Sequence, residues 1–147
     1  MTVVGARVEI EAPPEEVWRV VSDPRNLPLW DSHVVSVRDV PEEGVSEGTE
    51  YRTDVRFFGF TVSVTARVLQ VRAPEYAKVR LTGVIEGIVE TWVEPLQGSR
   101  SRLRHRVQYR FRGGAMGRVA ARAVRLLGAR AMLRRGTFSQ KRQIEAG

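Results

Sequence analysis

Apolar and polar residues alternate along most of this chain, and a helical spacing replaces the alternation only in two places. Residues 4–10 place Val, Ala, Val and Ile at every second position, which predicts a half-buried strand. Pro13-Pro14 then allows a helix to begin, and Pro24 ends it. Residues 26–30 have room for about one further helical turn. The chain therefore opens with a strand followed by two short helices.

From Val34 onward the spacing stays at two residues through six further candidate strands. These strands cover residues 34–40, 49–57, 61–71, 77–82, 85–94 and 101–112. The breaks between them are short and rich in Gly and Pro, which favours antiparallel hairpins. After Gly113-Gly114, the segment from Ala115 to about Ile144 has one broad apolar side and predicts one long amphipathic helix. The pattern predicts an α+β fold in which an antiparallel sheet of about seven strands faces this helix.

The strand over residues 101–112 divides most clearly into two faces. One face is lined by arginines and is expected to be wet. The other carries Leu103, His105, Val107, Tyr109 and Phe111 and is expected to look inward. His105 is therefore a candidate general acid or base, and Tyr109 a candidate proton donor. The alternative is that neighbouring protein groups satisfy the hydrogen bonds of a buried His105.

For the preceding strand, over residues 85–94, two assignments of the inward face are possible. We favour an inward face of Val89, Thr91 and Val93. Trp92 would then lie outside, stacked on one of the arginines, and Glu90 and Glu94 would face the same arginine row. In the reverse register Glu90 would be a buried carboxylate and a candidate for catalysis.

Composition excludes several kinds of site. The chain has 147 residues, of which 42% are hydrophobic and 28% charged, as expected for a single globular domain over residues 1–147. It has no cysteine, which removes disulfides, thiolate nucleophiles and Cys-based zinc sites. Asp31 and His33 alone are a weak metal signal, so we expect no metal and no cofactor. There is no membrane-spanning apolar run and no signal segment, and a cytoplasmic location is the default expectation.

The net charge of +7 lies entirely in the C-terminal segment. Residues 113–147 contain eight basic residues and one acid, Glu145, whereas the basic and acidic residues before them balance. Such a block either steers the chain towards anionic membranes, nucleic acid or acidic partners, or is a solvated helix face. Arg130 and Arg134 fall in the apolar sector of the predicted helix. There they would either hold a carboxylate or phosphate at a cavity mouth, or extend to solvent.

Three phenylalanines surround Gly59 at a predicted hairpin tip. Because a hairpin tip cannot bury all of Phe57, Phe58 and Phe60, we expect one or two of them to be exposed or to cover a pocket entrance. The sequence allows three roles for this tip, namely a lid, a contact with a membrane, or packing against the helix.

Several short sequences together resemble a known superfamily. They are residues 8–18 (VEIEAPPEEVW), Asp23-Pro24, Leu29-Trp30, residues 91–95 (TWVEP) and residues 98–100 (GSR). With the strands and final helix, they are similar to the START-like superfamily, and most of all to its polyketide cyclase/dehydrase and lipid-transport group, also called SRPBCC. The resemblance implies a helix-grip fold, with a curved sheet wrapped round the C-terminal helix and a deep apolar cavity. It also implies binding of lipids, sterols, quinones or polyketides, with cyclisation or dehydration in some members.

The predicted layout leaves room for a ligand between the sheet and the C-terminal helix, with a fully packed core as the alternative. The expected lining is Trp30, Tyr51, Val64, Ala66, Thr91, His105, Val107, Tyr109, Met116, Ala120, Ala123, Leu127 and Arg130.

Three functions follow from these observations. The first is binding of a hydrophobic small molecule, such as a lipid or a polyketide-like ring, without turnover. The second is an aromatase/cyclase or dehydratase that uses His105 and Tyr109. The third is a lipid- or quinone-handling module that touches anionic membranes through its basic C-terminal helix. Nucleic acid is not an expected partner, because the basic residues lack interleaved exposed aromatics. The chain is expected to be a monomer or a homodimer.

Overall fold

Seven strands and four α-helices make up most of the chain in the computed structural model, which describes residues 1–147. The strands are β1 (Thr2–Ile10), β2 (Val34–Arg38), β3 (Glu50–Phe57), β4 (Phe60–Arg72), β5 (Tyr76–Thr82), β6 (Ile85–Leu96) and β7 (Arg100–Phe111). The helices are α1 (Pro14–Val21), α2 (Leu27–Trp30), α3 (Ala115–Leu127) and α4 (Ala129–Ala146), with a 3-10 turn at Pro24–Asn26.

All seven strands form one antiparallel sheet in the order β1-β7-β6-β5-β4-β3-β2. Strands β2 to β7 follow one another as antiparallel neighbours, and the connections from β3 to β7 are short turns. Helices α1 and α2 carry the chain from β1 at one edge to β2 at the other. The α+β class, the seven-stranded antiparallel sheet and the helix-grip arrangement predicted from the sequence are confirmed.

The strand register separates an apolar inner face from a charged outer face. Trp92 lies outside, with the guanidinium of Arg104 4.3 Å from its ring centroid. Glu90 also lies outside, 3.9 Å from Arg106, and accepts a 2.7 Å hydrogen bond from the hydroxyl of Tyr76. Val93 points inward and is fully buried. The favoured register of this strand is confirmed, and Glu90 is not a buried catalytic carboxylate.

Helix α4 packs along β1 and closes the main core. Ile144 of α4 is buried in one cluster with Ile10, Val17 and Leu103. Polar contacts continue the same seam, since the ammonium group of Lys141 donates to the carbonyl of Glu9 at 2.7 Å. The first strand and the last helix of the chain therefore stabilise each other.

The C-terminal segment differs from the prediction, because the continuous helix expected over Ala115–Ile144 is divided at Gly128. Gly128 has φ +82° and ψ 111°, a conformation that no helix contains and that favours a residue without a side chain. Its N–H still bonds to the carbonyl of Val124, and its carbonyl accepts from Met132, so it both ends α3 and begins α4. The apolar side is consequently shared between two helices of different direction.

We expect Gly128→Ala to destabilise the fold by about 1–3 kcal/mol, because alanine is strained at this backbone conformation. Urea unfolding followed by circular dichroism measures the change. Gly113→Ala is the matched control, since a Cβ at Gly113 meets no atom and φ there is not in the left-handed region. The control should shift stability by no more than about 0.5 kcal/mol. Equal losses in both variants would contradict the role given to Gly128.

Candidate ligand-binding site

The concave face of the sheet is only partly covered by helices. Helix α4 packs on β1, and α3 contacts β7 and β3, whereas no helix packs substantially on β4 or β5. On β5, β6 and β7 several inward residues are apolar yet only half-buried: Val79, Leu81, Val89 and Val107. On β4, by contrast, the inward residues Val64, Ala66 and Val68 are buried. We call this incompletely covered part of the concave face the cleft.

One cross-strand row gives this cleft its width and its polar ends. The register places Tyr51, Ala66, Leu81, Gly87 and Tyr109 side by side across five strands. The middle of the row has small residues, because Ala66 carries only a methyl group and a Cβ at Gly87 would collide with the backbone of Gln108. The hydroxyls of Tyr51 and Tyr109 bond to no protein group. Every fully buried side-chain oxygen or nitrogen in the structure has a hydrogen-bond partner. These two hydroxyls have none, so they are not fully buried.

Tyr51 is a neutral hydrogen-bonding group at physiological pH. Burial raises the pKa of Tyr51 to about 12, since the phenolate would lose its hydration. A neutral phenol both donates and accepts hydrogen bonds, so it suits a ligand carbonyl or hydroxyl.

His105 lies beside the same cleft, at its α4 wall, and both of its ring nitrogens are engaged. Nδ1 is 2.9 Å from the hydroxyl oxygen of Thr91, and Nε2 is 2.8 Å from the side-chain oxygen of Gln140. Because an amide oxygen only accepts, Nε2 carries the proton and Nδ1 accepts from Thr91. Burial lowers the pKa of His105, partly opposed by the bond to Gln140, so the ring is neutral near pH 7.

The remaining predicted lining residues fall into four places. Val64 is buried on the inner face of β4, next to Ala66. Ala120 and Ala123 of α3 pack against Phe57 and close one end of the cleft, and Met116 lies half-buried on the same helix. Trp30 is buried at α2, where its indole N–H donates to Gln143 at 2.6 Å. Leu127 and Arg130 flank the break at Gly128, where both are exposed.

A second concave region, the arginine groove, lies between α4 and the segment from Pro28 to His33. It is open, measures about 650 Å³, and is lined by Trp30, His33, Met132, Arg134, Phe138 and Arg142, among others. Arg134, Arg135 and Arg142 have no carboxylate partner. The structure thus separates the two arginines considered together in the sequence, because Arg134 lines this groove and Arg130 does not.

The arginine groove could not be seen in the sequence pattern, because its two walls are about a hundred residues apart in the chain. At its floor His33 stacks on Phe57 with ring centroids 5.2 Å apart, and Asp31 accepts from the backbone N–H of His33 at 2.9 Å. These contacts give Asp31 and His33 a role in the turn.

No group of three or more His, Cys, Asp or Glu side chains is arranged to hold a metal ion. No helix has both the length and the apolar character that a membrane crossing requires.

The chain is similar in fold to several solved structures. A protein of Deinococcus radiodurans is 24% identical, with 100% of this chain and 99% of that chain covered and a TM-score of 0.73. The Zhui aromatase/cyclase of Streptomyces sp. R1128 is 17% identical, with 99% and 96% covered and a TM-score of 0.71. A START superfamily protein of Mycobacterium smegmatis is 16% identical, with 97% and 98% covered and a TM-score of 0.65.

At these identities the solved structures establish the fold and leave the ligand open. No curated protein matches the sequence. The family described as polyketide cyclase / dehydrase and lipid transport matches residues 1–136. That match includes β1, α1 and α2, the whole sheet, α3 and the first part of α4. The chain therefore belongs to the polyketide cyclase / dehydrase and lipid transport family.

Proposed function

We propose that this protein binds a hydrophobic small molecule in the cleft between the concave face of the sheet and the two C-terminal helices. The observation that carries the proposal is the half-buried state of Val79, Leu81, Val89 and Val107. Apolar side chains that face inward are normally covered, and an apolar ligand would supply the missing cover. Its chemistry is that of a lipid or a polyketide-like ring, with oxygen atoms that meet the phenols of Tyr51 and Tyr109.

Binding without turnover fits the cleft better than catalysis does. A general base needs a free nitrogen within hydrogen-bond reach of the ligand, whereas both nitrogens of His105 are bonded to Thr91 and Gln140. No carboxylate contacts His105 to orient it or raise its basicity. The alternative, a cyclase or dehydratase, would require Gln140 to release Nε2 and Tyr109 to act as the proton donor.

The cleft is tested by filling it from the inner face. We expect Val107→Trp to weaken binding of an uncharged solvatochromic dye such as Nile red about tenfold, which corresponds to about 1.4 kcal/mol. Fluorescence titration measures the affinity. An uncharged dye avoids attraction to the arginines of the arginine groove.

Gln108→Trp is the matched control, because the neighbouring residue points to the outer face of the same strand. It should leave dye affinity unchanged, with circular dichroism showing that both variants fold. The proposal fails if the unaltered protein does not bind the dye, or if the two variants weaken binding equally.

A structural role for His105 predicts how stability depends on pH. In the unfolded chain His105 takes up a proton as the pH falls through about 6.5, whereas the folded protein resists protonation because its pKa is lowered. The stabilisation is therefore complete above about pH 6.5 and decreases as the pH falls below it. Urea unfolding at pH 7.5 and at pH 5.5, one on each side of that value, should show a smaller free energy of unfolding at pH 5.5.

His105→Gln should remove this part of the pH dependence, because glutamine does not titrate. The same experiment on His33→Gln measures how much of the slope the only other histidine supplies. Asp54 and Glu86 titrate below this window, because hydrogen bonds from arginines lower the pKa of both carboxyl groups. An unchanged slope in His105→Gln would rule out a buried neutral histidine.

A further inference from the structure

We propose that the β3–β4 hairpin tip and helix α3 form a docking surface for an anionic lipid membrane. Large apolar side chains are exposed at both elements. Phe58 is 58% and Phe60 52% exposed at the tip, and Leu126 is 68% and Leu127 38% exposed at the end of α3. We call these four residues and the arginines of α3 the docking surface.

The two elements are neighbours, so their exposed residues belong to one region. Phe57, the last residue of β3, is buried against Ala120 and Ala123 in the middle of α3. Phe58 and Gly59 follow directly as the turn, and Phe60 pairs with Phe57 across it. Leu127 lies one helical turn beyond Ala123.

The turn carries a phenylalanine where folding favours another residue. Phe58 has φ +50° and Gly59 φ +80°, which is the two-residue turn that prefers Asn or Asp followed by Gly. A bulky side chain in this conformation is a local strain. More than half of Phe58 is exposed in the free protein, so packing within the chain stabilises it little, and a contact outside the chain would account for its presence.

The charges around these apolar residues point to an anionic partner. Arg118, Arg122 and Arg125 are exposed on α3, and none has an ion-pair partner. After Glu94 the chain has no acid except Glu145, and residues 55–74 have none. Basic side chains that flank exposed aromatic and leucine residues are the pattern by which helices and loops lie at the interface of anionic bilayers.

A lipid surface fits this arrangement better than nucleic acid does. The two rings stand at the end of a tight turn, where they can enter a bilayer interface side by side, and the arginines are on a separate helix. Stacking of bases would instead require aromatic residues interleaved with the basic ones along one groove.

Vesicle co-sedimentation tests the charged part of the docking surface. The protein should bind phosphatidylcholine vesicles that contain phosphatidylglycerol, bind pure phosphatidylcholine far more weakly, and be released by salt. Each basic residue near such a surface contributes a factor of about five, so Arg118→Gln, Arg122→Gln and Arg125→Gln together should weaken binding about a hundredfold.

The matched control removes the same charge elsewhere. Arg7, Arg19 and Arg80 are exposed and unpaired on β1, α1 and β5, and their triple change to Gln should weaken binding much less. Failure to bind anionic vesicles, or equal losses in the two triple variants, would overturn the proposal. Binding to a nucleic-acid duplex but not to vesicles would do the same.

Phe58→Asn tests the apolar part of the docking surface, and unfolding of the variant would not explain a loss of binding. Asparagine suits the turn, so this variant should be as stable as the unaltered protein or more stable, yet bind anionic vesicles about tenfold less, as expected when about 1.4 kcal/mol is lost. Leu29→Asn is the control, because Leu29 is 67% exposed in the arginine groove. A loss with Leu29→Asn and none with Phe58→Asn would place the contact at the arginine groove and refute the docking surface.

Discussion

The packing of α4 along β1 is the contact on which the rest of the structure depends. It buries Ile144 against Ile10 and Leu103, so one helix closes the core formed by strands from both ends of the chain. From the same helix, Gln143 fixes Trp30 of α2 and Gln140 fixes His105 of β7. The positions of α2 and of the α4 wall of the cleft are therefore set by one seam.

The cleft exists because this seam lies at one edge of the sheet. A seven-stranded curved sheet has a wider concave face than one helix covers, since packed helices are about 10 Å apart. Helix α3 ends before Gly128, where the chain changes direction, and it covers the concave face of the sheet only near Phe57. Apolar residues of β5, β6 and β7 stay half-buried as a result, and the position of the proposed ligand site follows from where the helices pack.

The sequence predicted the fold well because period-two alternation and proline breaks are local signals. The inner and outer faces of β6 followed from pairing Glu90 and Trp92 with the arginines of β7. The break at Gly128 was missed because one glycine inside a continuing apolar pattern is also compatible with an uninterrupted helix. The partners of His105 and the arginine groove were missed because they join residues far apart in the chain, which one sequence cannot place together.

The pairing of β1 with β7 also determines when this protein can fold. Thr2 pairs with Tyr109, so β1 has no neighbouring strand until about a hundred more residues have been synthesised. The apolar side of β1 stays uncovered for longer, until Ile144 near the end of α4 has been synthesised. Until β7 has been synthesised, the nascent chain therefore carries an unpaired, half-apolar strand, which is a template for aggregation. The sheet and its main core can form completely only after both β7 and α4 have emerged.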